Sequence, residues 1–247
     1  MTIKNLEVDL HTHTIASGHA FSTISEMAAS AAERGLKMIA VTDHGLNMPG
    51  GPHEYYFKKL LDLPKVIHGV EILKGVESNI LDSNGNLDVP EKILKSLDIV
   101  LAGFHIDTGY QGATVEENTC AMIAALENPY VNVIVHPGNP QFPVDHEKVI
   151  QAAKRTGKAL EINNNSFLFI RPGSSLRCQD IIRKSAKEGI LLTINSDAHS
   201  CFEIGHTEKA MEAANWAGIK SHQVLNTSVV FVQKYLQQTK QSLRKIS

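Results

Sequence analysis

Cysteine is scarce in this 247-residue chain, where Cys120, Cys178 and Cys201 form an odd, scattered set without a CxxC pair. A disulfide-stapled scaffold and a thiolate zinc finger are thereby excluded, and a reducing compartment is expected. Neither sign of charge is in excess, for 24 Lys and Arg against 26 Asp and Glu leave −2 with histidine neutral. A protein that coats or wraps nucleic acid neutralises many phosphates, and this chain lacks an extended nucleic-acid surface of that kind. The first ten residues carry no apolar core of signal-peptide length, and no later run approaches the ~18 apolar residues of a membrane span. These absences predict a soluble, cytoplasmic protein with no membrane partner. Ser/Pro-rich linkers, low-complexity tracts and breaks in composition are also missing, so residues 1–247 read as a single domain. Oligomeric state is not written in any pattern of the chain.

What the chain has in quantity is histidine, 12 copies against one tryptophan. Short apolar, β-branched runs occur at 6–10, 38–42, 72–76, 99–103, 131–135, 159–162 and 191–194. Runs without polar alternation are typical of strands buried on both faces, which normally belong to a parallel sheet. Between them, Thr23 and Glu26 form a capping box ahead of the helical face Ile24, Met27, Ala28 and Ala31, and Asp145 caps a second helix. Ser174 or Ser175 is the expected cap of a third. The three helices end at Gly35, Gly157 and Gly189, since glycine adopts the positive φ that terminates a helix. Asn84-Gly85 predicts a small hairpin with a type I′ turn within 79–89, and 224–238 reads as a closing helix. Strands alternating with helices predict an α/β chain with right-handed crossovers, and at this length an α/β barrel.

The C-terminal ends of these strands carry His11 and His13, Asp43-His44, Glu77, His105, His136, Glu161-Ile-Asn163-Asn164, and Asp197 with His199. In a parallel barrel those ends share one mouth, where barrel active sites lie, so residues scattered along the chain converge. Side chains at i and i+2 of a strand point the same way. His11 and His13 can therefore hold one cation together, and Asp197 and His199 neighbouring ones. With His19 in the first loop the candidates number nine, more than one tetrahedral metal takes and suited to two or three. Imidazole combined with carboxylate suits Zn²⁺, Mn²⁺ or Fe²⁺. Glu77 is the natural bridge, because a carboxylate offers two oxygens and a neutral imidazole one lone pair. His53, His68, His146, His206 and His222 lie outside this pattern and read as surface or structural residues. Cys201 reads as a small buried filler.

The stretches Asp9-Leu-His-Thr-His-Thr14, Thr42-Asp-His44, Gly75-Val-Glu77, Gly103-Phe-His105, Val135-His-Pro137 and Asn195-Ser-Asp-Ala-His199 together resemble the motifs of the polymerase and histidinol phosphatase (PHP) superfamily. Within it the chain is most similar to the stand-alone YcdX-type metal-dependent phosphatases, over roughly residues 6–235. The resemblance implies a distorted (β/α)7 TIM-like barrel with the metal site at the C-terminal ends of the strands. It also implies three divalent metal ions, usually assigned as zinc. One would rest on His11, His13, Glu77 and Asp197, a second on Glu77, His105 and His136, and a third on His19, His44 and His199.

On this reading the chain is a metal-dependent hydrolase of phosphoric esters, a phosphatase acting on a small phosphorylated substrate. A hydroxide held between two metals would attack phosphorus, with Glu77 and Asp197 as the ligands that position it, because coordination lowers the pKa of water towards ~7. Arg171, in the loop after the sixth run, is a candidate phosphate-binding fork. Asp43 and Asn163 are candidates for orienting the histidines. The alternative keeps the site and makes the protein a 3′-5′ exonuclease or nucleotide phosphodiesterase. A non-catalytic metal-binding regulatory protein fits less well, since a structural site needs only four closed ligands. An amidohydrolase fits less well too, for want of a strand-end lysine to bridge a metal pair.

Overall fold

Seven parallel strands curl into a nearly closed barrel in the computed structural model, which describes residues 2–112, 114–168 and 171–243. The strands are β1 (Val8–Thr12), β2 (Met38–Val41), β3 (Val66–Ile67), β4 (Val70–Asn79), β5 (Ile99–Gly103), β6 (Val133–Ile134), β7 (Ala159–Asn163) and β8 (Leu192–Asn195). All but β3 pair in parallel, in the order β1-β2-β4-β5-β6-β7-β8, while β3 is a short antiparallel arm on β4. Eight helices connect or follow them: α1 (Ile24–Glu33), α2 (Glu54–Leu60), α3 (Glu91–Leu94), α4 (Val115–Glu127), α5 (His146–Thr156), α6 (Ser174–Glu188), α7 (Glu208–Trp216) and α8 (Val229–Leu243). The α/β barrel expected from the alternating runs is the architecture observed, and among the described residues no helix is long and apolar enough to cross a membrane.

Three local features aim the polar residues. In β1, Asp9 and Thr12 pair with Ile39 and Val41, three residues against two, so the strand carries a bulge. An extra residue re-aims the side chains beyond it. Leu10 thus joins the apolar interior with Val8, Met38 and Ala159, and His11 still reaches Glu77 across the barrel. The ten-residue β4 pairs with β2 through Glu71–Lys74 and with β5 through Gly75–Asn79, which carries Glu77 far towards the mouth. The seam between β8 and β1 is closed by side chains as well as backbone. The Asp197 N–H donates to the His11 carbonyl near the mouth, and below it the amide of Asn226 spans Val8 and Ile194. α8 covers the N-terminal end with Val232, Tyr235 and Leu236.

The capping box at Thr23 and Glu26, the Asp145 cap and the glycine stop at Gly157 form as expected. Other local expectations are corrected. Asn84 lacks positive φ, so the turn at Asp82–Gly85 is not type I′; Asp82 accepts from the N–H groups of Asn84 and Asn86, and only Gly85 is left-handed. The two-residue turn with both φ positive lies instead at His68-Gly69, between β3 and β4. Ser174 is the first residue of α6, with Gly173 ahead of it and no side-chain cap. The closing helix begins at Val229, because Leu225–Thr227 form a separate 3-10 turn that delivers Asn226 to the seam.

Candidate metal centre

Glu77, at the end of β4, lies at the middle of the mouth and is fully buried. Its Oε1 is 2.8 Å from His136 Nε2 and 3.0 Å from His105 Nε2. Its Oε2 is 2.9 Å from His44 Nδ1 and 3.3 Å from the Nε2 atoms of both His11 and His13. Asp197 Oδ1 faces the same two histidines at 3.4 and 3.3 Å. At the rim, the rings of His19 and His199 stack with Nε2 atoms 3.2 Å apart, and His44 stacks on His13 and His19. The nine strand-end and loop candidates therefore meet in one place. His44 stands between the groupings, close to Glu77 and His105 on one side and to His13 and His199 on the other.

The donor set fits cations. His11 Nε2 and His13 Nε2 face each other at 3.0 Å, and one shared proton is the most such a contact can hold. His44 Nδ1 and Glu77 Oε2, though 2.9 Å apart, are buried with no aligned hydrogen-bond partner among the described residues, a cost that a buried polar atom ordinarily avoids. His136 (φ 33°) and Asp197 (φ 56°) both occupy left-handed backbone, which non-glycine residues adopt at a price in strain and which clusters at functional sites. Room for the His136 ring comes from Gly103, where a Cβ would lie 2.7 Å from His136 Cε1.

Electrostatics divide the histidines. Burial opposes charge on His11, but the carboxylates of Glu161, Glu77 and Asp197 together raise its pKa well above the ordinary value. His13, also buried, is raised to about 9 by its contacts with Asp197 and Glu77. His136 and His199 fall to about 4, the first through burial and the charge of Arg171, the second through burial and the charge of His13. Burial disfavours ionised Glu77, yet the surrounding histidines, His105 foremost, hold its pKa well below the usual range. The mouth thus keeps its carboxylates charged and His136 and His199 neutral, the states that metal ligands need, while the protons drawn to His11 and His13 are ones that a bound cation would displace.

Around these residues stands a layer of hydrogen-bonding groups. Asp43 accepts from Ser17 Oγ, which lies 3.0 Å from His13 Nδ1, so Asp43 acts on that ring through Ser17. Asn163 touches no histidine; its amide donates to Glu161 and Asp197. Arg171 Nη2 donates to Asp197 Oδ2 at 3.0 Å, while its Nη1 is buried without a hydrogen-bond partner among the described residues. Two residues to which the sequence assigns no role stand in this layer. Glu161 Oε1 lies 2.7 Å from His11 Nδ1, and its Oε2 accepts from the His136 backbone N–H. Asp88, from the segment after β4, accepts from Asn79, whose Oδ1 is 2.7 Å from His105 Nδ1. Gly45 admits Asp88, since a Cβ there would fall 2.2 Å from its Oδ1. The histidines outside the pattern do other things: His53 caps α2, His146 pairs with Asp180 and His206 with Arg34.

The PHP domain family model matches residues 9–165, a span holding seven of the nine candidates, with Asp197 and His199 beyond it on the same barrel. A probable phosphatase of Caldanaerobacter subterraneus is 50% identical over 238 residues, 96% of this chain and 94% of that protein. One from Acetivibrio thermocellus is 48% identical over the same share of this chain and 98% of its own. The histidinol phosphate phosphatase of Lactococcus lactis, whose crystal structure holds zinc, L-histidinol and phosphate, superimposes with a TM-score of 0.65 at 20% identity, covering 88% of this chain and 95% of that one. The chain belongs to the PHP domain family.

Proposed function

We propose that the histidine-lined mouth is the catalytic centre of a phosphatase that holds three divalent cations, zinc foremost, on His11, His13, His19, His44, Glu77, His105, His136, Asp197 and His199. The chain is a metal-dependent phosphoric ester hydrolase, in line with relatives named probable phosphatases at 41–50% identity. The observation that carries the reading is the division of Glu77, whose Oε1 faces two histidines and Oε2 three others. A carboxylate so placed suits a bridge between cations. When bound, such cations offset phosphate charge and make water nucleophilic near neutral pH.

The chain's own residues supply position. Arg171, anchored to Asp197 through Nη2, has Nη1 left to donate to a phosphate oxygen. Glu161 and the Asp43–Ser17 pair fix the rings of His11 and His13, and ligands held in this way need no reorganisation during reaction. In the hydrolysis, the oxygen of water bonds to phosphorus, the bond from phosphorus to the ester oxygen breaks, and the alcohol leaves with a proton. A mouth of about 400 Å³ suits a small phosphorylated substrate.

The test is hydrolysis of p-nitrophenyl phosphate by protein whose metal content is measured in parallel. Activity should vanish on chelation and return with Zn²⁺ or Mn²⁺, and should exceed that on bis-p-nitrophenyl phosphate. A protein with its full metal complement and no monoesterase activity overturns the reading.

A further inference from the structure

The mouth adjoins a second cavity, of about 520 Å³, and the two share Ile106 and Gln141 as a common wall. The second cavity lies over the loop that follows β5, and Asp107, Tyr110 and Gln111 line it. Its floor is an aromatic stack: Phe104, at the mouth, stacks on Tyr110 at 4.9 Å and on Phe142 at 5.1 Å. Taking the mouth as the phosphate site, we propose that this cavity receives the alcohol portion of the substrate, and that this portion is uncharged and rich in hydroxyl groups, as in a sugar phosphate.

The lining selects that chemistry. Asp107 is exposed and makes no hydrogen bond or ion pair with another described residue. It also sits in left-handed backbone at φ 62°. Its carboxylate accepts only, and two oxygens can take the hydroxyls of a vicinal diol. Gln111 and Gln141 present neutral amides that both donate and accept, as hydroxyls do. Tyr110 already gives its hydroxyl to Asn118, so it offers carbon surface, as does Ile106, against which the C–H face of a sugar packs. Among the described residues no lysine or arginine lines the cavity, and the Asp107 charge repels a second anionic group. A cation would favour a denser acidic wall than one carboxylate among amides.

This inference rests on the phosphatase reading, and the experiment separates the two. Binding of the phosphonate analogue of glucose 6-phosphate, in which a methylene replaces the ester oxygen, and of methylphosphonate is measured by calorimetry on metal-loaded protein. Hydrolysis of glucose 6-phosphate, phosphoethanolamine and p-nitrophenyl phosphate is followed alongside. The sugar phosphonate should bind at least tenfold more tightly than methylphosphonate, Asp107→Ala should remove most of that advantage, and Asp107→Asn about half of it on a logarithmic scale. An advantage insensitive to both variants, or faster turnover of phosphoethanolamine than of glucose 6-phosphate, overturns the subsite. If the advantage depends on Asp107 but no ester is hydrolysed, the subsite stands and the phosphatase reading falls.

Discussion

At the N-terminal end of the barrel, Asn226 donates through Nδ2 to the carbonyls of Val8 and Ile194 and accepts the Ile194 N–H on Oδ1. At the C-terminal end, His44 Nδ1 and Glu77 Oε2 are buried as deeply and lie 2.9 Å apart, with no aligned hydrogen bond to either atom among the described residues. Both ends place polar groups inside an apolar barrel, where each such group costs free energy unless it is paired. At the lower end Asn226 and Asn132 replace missing rungs of the sheet: Asn132 accepts the Val100 N–H on its side chain and the Tyr235 hydroxyl on its carbonyl. At the upper end ring nitrogens face ring nitrogens, and Glu77 faces five histidines. A satisfied polar group reads as stability, and an unsatisfied convergent set reads as a place for cations.

The sharpest way to break this contrast is Glu77→Ala. It removes both oxygens from the middle of the mouth, and should lower p-nitrophenyl phosphate hydrolysis by at least ~10³-fold, about 4 kcal/mol in the barrier. Bound metal, measured by elemental analysis, should fall by more than one equivalent; loss of one or none would reject the bridging role.

Asn226→Ala tests the other end. It strips three backbone groups at the β8–β1 seam of their partner and should cost about 2–4 kcal/mol of stability in urea unfolding. Metal per folded molecule should stay unchanged. If metal content falls in step with stability, the two ends are not separable.

Asp88→Asn probes the supporting layer, where the two behaviours meet. Asp88 accepts from Ser78 Oγ, the Asn79 and Asn47 backbone N–H groups and Asn79 Nδ2, so an amide in its place sets one donor against others. Through Asn79 the change should loosen His105 and reduce turnover about 10–100-fold. A Co²⁺-substituted protein should show an altered absorption spectrum, which a loss of stability alone would leave unmoved.

Why some of this was legible in the chain and some was not follows from how each residue is placed. His11, His44, Glu77, His105, His136 and Asp197 end apolar runs, and a ligand type recurring at that position needs no knowledge of pairing. The bulge in β1 does need it, since an extra residue exists only relative to the register of β2. Glu161 stands in the strand-end stretch Glu161-Ile-Asn-Asn164, where its position alone assigns it no role. Its signal was available, for an ionisable residue within Ala159-Leu-Glu-Ile162 is buried on any strand reading and therefore has to be paired. Asp88 gave no such signal, because an aspartate after Asn-Gly-Asn-Leu looks like a solvated turn residue. The left-handed turn at His68-Gly69 was missed for a similar reason, as histidine is a less usual partner there than Asn or Asp.

The smallest expected effect lies at the lower end, where one buried polar group departs from the rule of full satisfaction. Lys158, just before β7, is almost fully buried, and among the described residues its ammonium donates only to the carbonyl of Asn128. Burial lowers its pKa to about 8, with Glu127 partly opposing. The folded value lies below the unfolded one, so between about pH 8 and ~10.4 the unfolded chain binds more protons and stability attributable to this group rises with pH. Below pH 8 both states are charged and the burial cost is carried in full. Lys158→Met should therefore stabilise the protein at pH 7 by about 1 kcal/mol, or ~2–4 °C at this size. Asn128 is not orphaned by the change, because its carbonyl also accepts the Val131 N–H. The gap between variant and parent melting temperatures should narrow as pH is raised from 8 towards 10; a gap constant with pH would show that the ammonium is not desolvated, and that the lower end tolerates charge as the mouth does.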